Sequence, residues 1–108
     1  SGTINGGPVV FLLATGAPGV ALPETVAQRL DLPRGRAFMT NTANGSARSY
    51  QTRIGEVAIG DIRLNNVDAA ITPGLAMNEV LLGMSFLKYI EFTQRGNTLT
   101  LRQYPRGA

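Results

Sequence analysis

The stretch Val9-Val10-Phe11-Leu12-Leu13-Ala14-Thr15-Gly16-Ala17 and a later one, Val80-Leu81-Leu82-Gly83-Met84-Ser85-Phe86-Leu87, decide how this chain is read. Each is an apolar run that stops abruptly at small residues. The run Val9 to Leu13 is too short for a helix, so it reads as a strand buried on both faces, and Val80 to Leu82 as a second buried strand. After the first run, Ala14-Thr15-Gly16-Ala17-Pro18-Gly19 forms a loop of small residues. After the second, Ser85 is placed to cap a short helix through Phe86-Leu87-Lys88.

Working outward, Asn5-Gly6-Gly7 reads as a turn and Val20-Ala21-Leu22 as a short strand. Pro23 at a first helical position and Glu24 in the first turn start a helix over residues 24–30, with Val26, Ala27 and Leu30 on one face. Asn44-Gly45 is a strong signal for a two-residue hairpin turn between polar flanks, so the hairpin tip is expected to project. Gly60-Asp61 marks a second hairpin, Val67 to Ile71 a strand ended by Pro73-Gly74, and Arg95-Gly96-Asn97 the turn of a last pair, Ile90-Glu91-Phe92 and Leu99-Thr100-Leu101. The two halves share one order: an Asn-bearing turn, an apolar strand, a Gly/Pro loop, a second apolar strand and a helix. That order suggests an internal pseudo-two-fold repeat.

Composition removes much of chemistry. The 108 residues include no cysteine, histidine or tryptophan, which excludes a Ser-His-Asp triad, a thiol nucleophile and a zinc finger. Seven carboxylates remain as the main candidates for acid and base work. The 13 glycines and 6 prolines imply many tight turns and favour an all-β fold over a helical bundle. A net charge of +3 raises nucleic acid as a partner. The arginines, however, are scattered from Arg29 to Arg106 and do not alternate with aromatics, so solvated surface charge is the preferred reading and no nucleic acid partner is expected. No apolar run approaches the roughly 20 residues needed to cross a bilayer, and no signal peptide opens the sequence.

Taken in order, Phe11-Leu12-Leu13-Ala14-Thr15-Gly16-Ala17, the Asn44-Gly45 hairpin and Val80-Leu81-Leu82-Gly83 with the helix after it resemble retropepsin-like aspartic proteases of the bacterial single-domain type. That family carries apolar-apolar-Asp-Thr-Gly-Ala in the first segment and apolar-apolar-Gly in the second, with a flap hairpin between them. The resemblance implies an all-β domain over residues 1–108, a closed β-barrel with one or two short helices, a flap at about residues 37–54 and a two-fold homodimer. It implies a catalytic loop at Ala14, Thr15 and Gly16, with Thr15 bonding across the dimer axis and Gly16 allowing two loops to approach. Substrate contacts are implied at Ala17, Asn44, Gly45, Leu82 and Gly83, with neither metal nor cofactor. In such a site two carboxylates, one per subunit, share a proton because like charges that close cannot both ionise. The pair activates a water toward the peptide and protonates the leaving group.

The chain departs from the pattern at the decisive position. Ala14 stands where the family has aspartate, and a methyl group can neither activate water nor carry a proton. An endopeptidase lineage with an inactive chain is therefore expected. The intact Thr15-Gly16-Ala17, flap turn and Leu82-Gly83 favour an engineered replacement; a natural pseudo-protease serving as a peptide-binding or dimerisation module is the alternative. Glu24, Asp31, Asp61, Asp68 and Glu79 read as caps, turn residues or solvated charge rather than substitutes. Tyr50 is expected to pack the base of the flap, Met39, Met77 and Met84 to fill core gaps, and Arg48 and Arg53 to face solvent. From bacterial relatives, a membrane anchor outside this stretch and a periplasmic location at the inner membrane are expected.

Overall fold

In a computed structural model of the chain, residues 2–14, 19–42, 45–75, 77–96 and 98–103 are described, with the backbone alone for Thr40, Thr42, Phe92, Gln94 and Leu99. The chain is mostly β, with two short helices. Its elements are β1 (Gly2–Ile4), β2 (Gly7–Val9), β3 (Phe11–Leu13), β4 (Val20–Leu22), α1 (Glu24–Arg29), β5 (Ala37–Thr42), β6 (Gly45–Ile59), β7 (Ile62–Ile71), β8 (Val80–Leu82), α2 (Met84–Leu87), β9 (Ile90–Arg95) and β10 (Thr98–Gln103). The main sheet runs β2-β1-β6-β7-β4-β8-β3, with β5 paired to β6; β9 and β10 form a separate hairpin.

Among the described residues this sheet is open, and the closed barrel implied by the resemblance is not formed. Its two ends, β2 and β3, are consecutive in the chain and separated by Val10 alone, leaving no turn that could lay them side by side. The sheet ends meet through a covalent link rather than a ladder. Val10 marks the switch: its carbonyl accepts the Val80 N–H at 2.8 Å, so β3 leaves β1 and joins β8. The single strand expected across this run is thus two strands, and it is not buried on both faces. Val9 is 5% exposed, while Val10 is 52% and Leu12 42% exposed.

The repeat read in the sequence appears as an exchange of partners. β3 pairs in parallel with β8 (Leu13↔Leu82), β4 pairs in parallel with β7 (Leu22↔Ile71), and β4 and β8 meet antiparallel at Ala21↔Leu81. The leading strand of each half therefore pairs with the second strand of the other, about a local two-fold near Ala21 and Leu81. The core lies behind this crossing, where Val20, Leu22, Val80 and Leu82 meet Ile4, Ile54, Val57 and Phe86. Val26 and Ala27 of α1 and Leu87 of α2 close it. Pro23 is the N-cap of α1 rather than its first helical residue, with an extended ψ of 151°.

β6 ties the domain together. Its 15 residues would span about 46 Å at roughly 3.3 Å per step, more than the 35 Å longest dimension, so it must bend. The bend falls near Gly55, where Ile54↔Val67 and Glu56↔Asn65 flank Asn66 at a φ of 55°. The Asn5 turn clamps this point: its N–H donates to the Glu56 carbonyl and its Oδ1 accepts the Glu56 N–H, both at 2.9 Å. A Cβ at residue 55 would lie 3.0 Å from Asn5 Oδ1, so glycine fits the close passage. Asn65 and Asn66 lie inside a continuous β7, and the expected Gly60-Asp61 turn forms between Ile59 and Ile62. In the flap, Thr42 pairs with Gly45, so Gly45 begins β6 with a φ of 108° and the connecting pair is residues 43–44, one position earlier than the expected turn. Hairpin register, fixed by the β5–β6 ladder, overrides the local Asn-Gly preference.

Candidate functional site

Position 14 is held by the sheet rather than by a free loop. The Ala14 N–H donates to the Leu82 carbonyl at 2.9 Å, carrying the β3–β8 ladder one residue past Leu13↔Leu82 and setting Ala14 beside Gly83. Strand alternation then turns the Ala14 methyl to the same face as Leu12 and Leu81, away from the core. Gly83 is buried and starts α2, its carbonyl accepting the N–H groups of Phe86 at 3.1 Å and Leu87 at 3.0 Å. Leu82 is itself wholly buried, so what it presents to position 14 is its backbone carbonyl. Thr15, Gly16, Ala17 and Asn44 lie outside the described residues.

Leu81, on the same face as Ala14, also lines a groove of about 1160 Å³, although Ala14 itself is not among the groove's lining residues. Successive registers, Gln51↔Ala70, Ala70↔Ala21, Ala21↔Leu81 and Leu81↔Leu12, line up one lateral row across five strands. Arg36 extends it, because Gly35 and Arg36 together face Gln51. The Gly35 N–H donates to the Gln51 carbonyl at 2.7 Å, and the Gln51 N–H donates to the Arg36 carbonyl at 2.9 Å. This two-against-one pairing is a bulge at the entry to β5. A Cβ on Gly35 would stand 2.7 Å from the Gln51 oxygen, so only glycine allows it. Phe38 on the flap forms one wall, and Arg53 and Asp68, paired at 3.0 Å, stand at the rim.

The floor is neutral and built from small or aliphatic side chains, which suits an extended backbone lying across strands. Sequence reasoning missed this row because two of its strands, Val9 to Leu13 and Val80 to Leu82, were read as buried and the registers that align the five strands are not visible in the sequence. The signal lay in Ala21, Ala70 and Leu81, each flanked in its strand by residues of the core. Beneath the groove, Ser49 Oγ and Thr72 Oγ1 form a buried hydrogen bond of 3.1 Å. Thr52 Oγ1 and Ser85 Oγ are buried without a partner. Ser85 is therefore not the cap of α2; Gly83 occupies the N-cap and no side chain caps the helix.

Tyr50 packs the flap base as expected, with the Arg34 guanidinium 4.2 Å above its ring; Arg34 is also paired with Glu24. Arg53 faces solvent, and Asp68 points outward with it. Two of the three methionines do not fill the core: Met39 is 61% and Met84 49% exposed, because each stands on an outward position of its element. Among the described residues no group of His, Cys, Asp or Glu could hold a metal ion, and no helix is long and apolar enough to cross a membrane.

Comparison with known proteins fits this arrangement. Residues 1–89 match the family described as "gag-polyprotein putative aspartyl protease". A crystal structure of a retropepsin-like aspartic protease from Rickettsia conorii superposes with a TM-score of 0.71 at 27% identity, over 94% of this chain and 85% of that one. An uncharacterised protein in the cobV 5′ region of a Sinorhizobium species is 35% identical over 104 residues, 93% of this chain. The chain spans 45% of that relative's length. Sequence and fold agree, and the chain belongs to the retropepsin-like aspartic protease family.

Proposed function

We propose that this domain has the peptide-binding half-site of an aspartic endopeptidase and, with Ala14 at the reacting position, holds an extended peptide without cutting it. The observation that supports this is the bond from Ala14 N–H to the Leu82 carbonyl, which sets residue 14 on the sheet face of Leu81, a residue that lines the groove. An aspartate side chain at that position would project from the end of a rigid parallel ladder beside Gly83. One chain supplies one such position, so the complete site needs a second copy about a two-fold axis. The two carboxylates would then share a proton and activate a water between them.

The flap hairpin supplies backbone groups for strand-like pairing with the peptide and covers it from water. The chain retains Thr15-Gly16-Ala17, Gly45 and Leu82-Gly83 while lacking the carboxylate alone, which favours an introduced replacement over a domain long freed from catalysis. Titration calorimetry combined with sedimentation tests the binding reading. A two-fold site predicts one extended peptide per two chains, with dimer favoured by peptide. A monomer that takes up no peptide, or one peptide per chain without association, removes it.

A further inference from the structure

We propose that Arg36 makes this groove selective for peptides carrying an acidic side chain, a specificity that rests on the peptide-binding reading above. Among the described residues lining the groove, the charged ones are Arg36, Arg53 and Asp68. Arg53 and Asp68 neutralise each other at 3.0 Å, and no carboxylate of a described residue forms an ion pair with Arg36. Arg36 is therefore an uncompensated cation at one end of a neutral row, Gln51, Ala70, Ala21, Leu81 and Leu12, whose other end lies two residues before Ala14.

Its position is built rather than incidental. The bulge at Gly35 and Arg36, closed by the two bonds to Gln51, fixes the backbone from which the side chain departs, and bulges commonly serve to re-aim a side chain. The small residues of the floor leave room for an extended peptide between Arg36 and position 14. A guanidinium at the end of such a track offers a planar pair of donors to a carboxylate, a stronger and more directional contact than a neutral hydrogen bond. In a two-fold dimer the preference recurs at the symmetry-related end of the peptide.

The test is an acid scan. A single Glu is placed in turn at each position of a neutral ten-residue peptide, and binding is followed by fluorescence anisotropy at low salt. One position, or a symmetric pair, is expected to bind about fivefold more tightly than the neutral parent, with the gain shrinking at high salt. Arg36→Gln should abolish the gain, so that Glu-bearing and neutral peptides bind it alike, and Arg36→Glu should reverse it, favouring Lys at the same position. The backbone bonds to Gln51 do not involve the Arg36 side chain, and an unchanged melting curve verifies that both variants fold. Neutral peptide bound equally by parent and variants with no acid preference overturns this inference alone; no binding by any peptide overturns it together with the peptide-binding reading.

Discussion

The buried hydroxyls under the groove separate two kinds of polar burial. Ser49 and Thr72 satisfy each other at 3.1 Å, whereas Thr52 Oγ1 has no partner although Thr52 is only 8% exposed. A buried hydroxyl without a hydrogen bond costs stability, while removing one member of a buried pair loses the bond it made. Thr52→Val, which keeps the shape and removes the orphan oxygen, is expected to leave stability unchanged or raise it by about 1 kcal/mol, and Thr72→Val to lower it by about 1 kcal/mol. Urea denaturation of the two variants compares the signs directly; a marked loss in Thr52→Val would mean that its hydroxyl has a partner in solution. At the same scale, the departure from the family pattern was legible in the sequence, where Ala14 stands in the Phe11 to Ala17 run at the family's aspartate position.

Elements show where sequence reading stops. Strand runs, both helices and the Gly60-Asp61 hairpin follow from apolar spacing and turn residues. The break at Val10 does not, because an unbroken apolar run carries no mark of where a strand changes partner. Only the tertiary bond from Val80 N–H to the Val10 carbonyl creates it. The flap register likewise depends on the whole β5–β6 ladder rather than on Asn44-Gly45. The bend of β6 was equally silent, since it rests on Asn5, 51 residues from Glu56 in the chain. Asn5→Ala removes the side-chain acceptor at Glu56 and the residue type that best tolerates a φ of 50°, and is expected to cost about 1–2 kcal/mol. Amide exchange should accelerate first at Glu56 and its β7 neighbours; uniform acceleration across the sheet would place the clamp elsewhere.

For the whole molecule, the internal exchange of strands gives one compact face on which position 14, the aliphatic row and the flap converge. The family was legible because its two signature segments form neighbouring strands, β3 and β8, paired in parallel, so motif and architecture coincide. The groove was less legible, since its floor takes single outward residues from separate strands, and three of them, Ala21, Ala70 and Leu81, look like core. Three of the arginines, Arg34, Arg53 and Arg63, pair at the surface with Glu24, Asp68 and Glu56.

Peptide hydrolysis by Ala14→Asp bears most directly on the claim that this is an aspartic protease domain lacking its reacting group. A dyad sharing one proton works only between its two apparent pKa values, so activity should appear at mildly acidic pH and fade as the shared proton is lost toward alkaline pH. Cleavage of a diverse peptide library by Ala14→Asp, absent from the parent and blocked by a transition-state-mimicking inhibitor, is the expected result. A folded, dimeric Ala14→Asp protein that cleaves nothing in the library would contradict the claim.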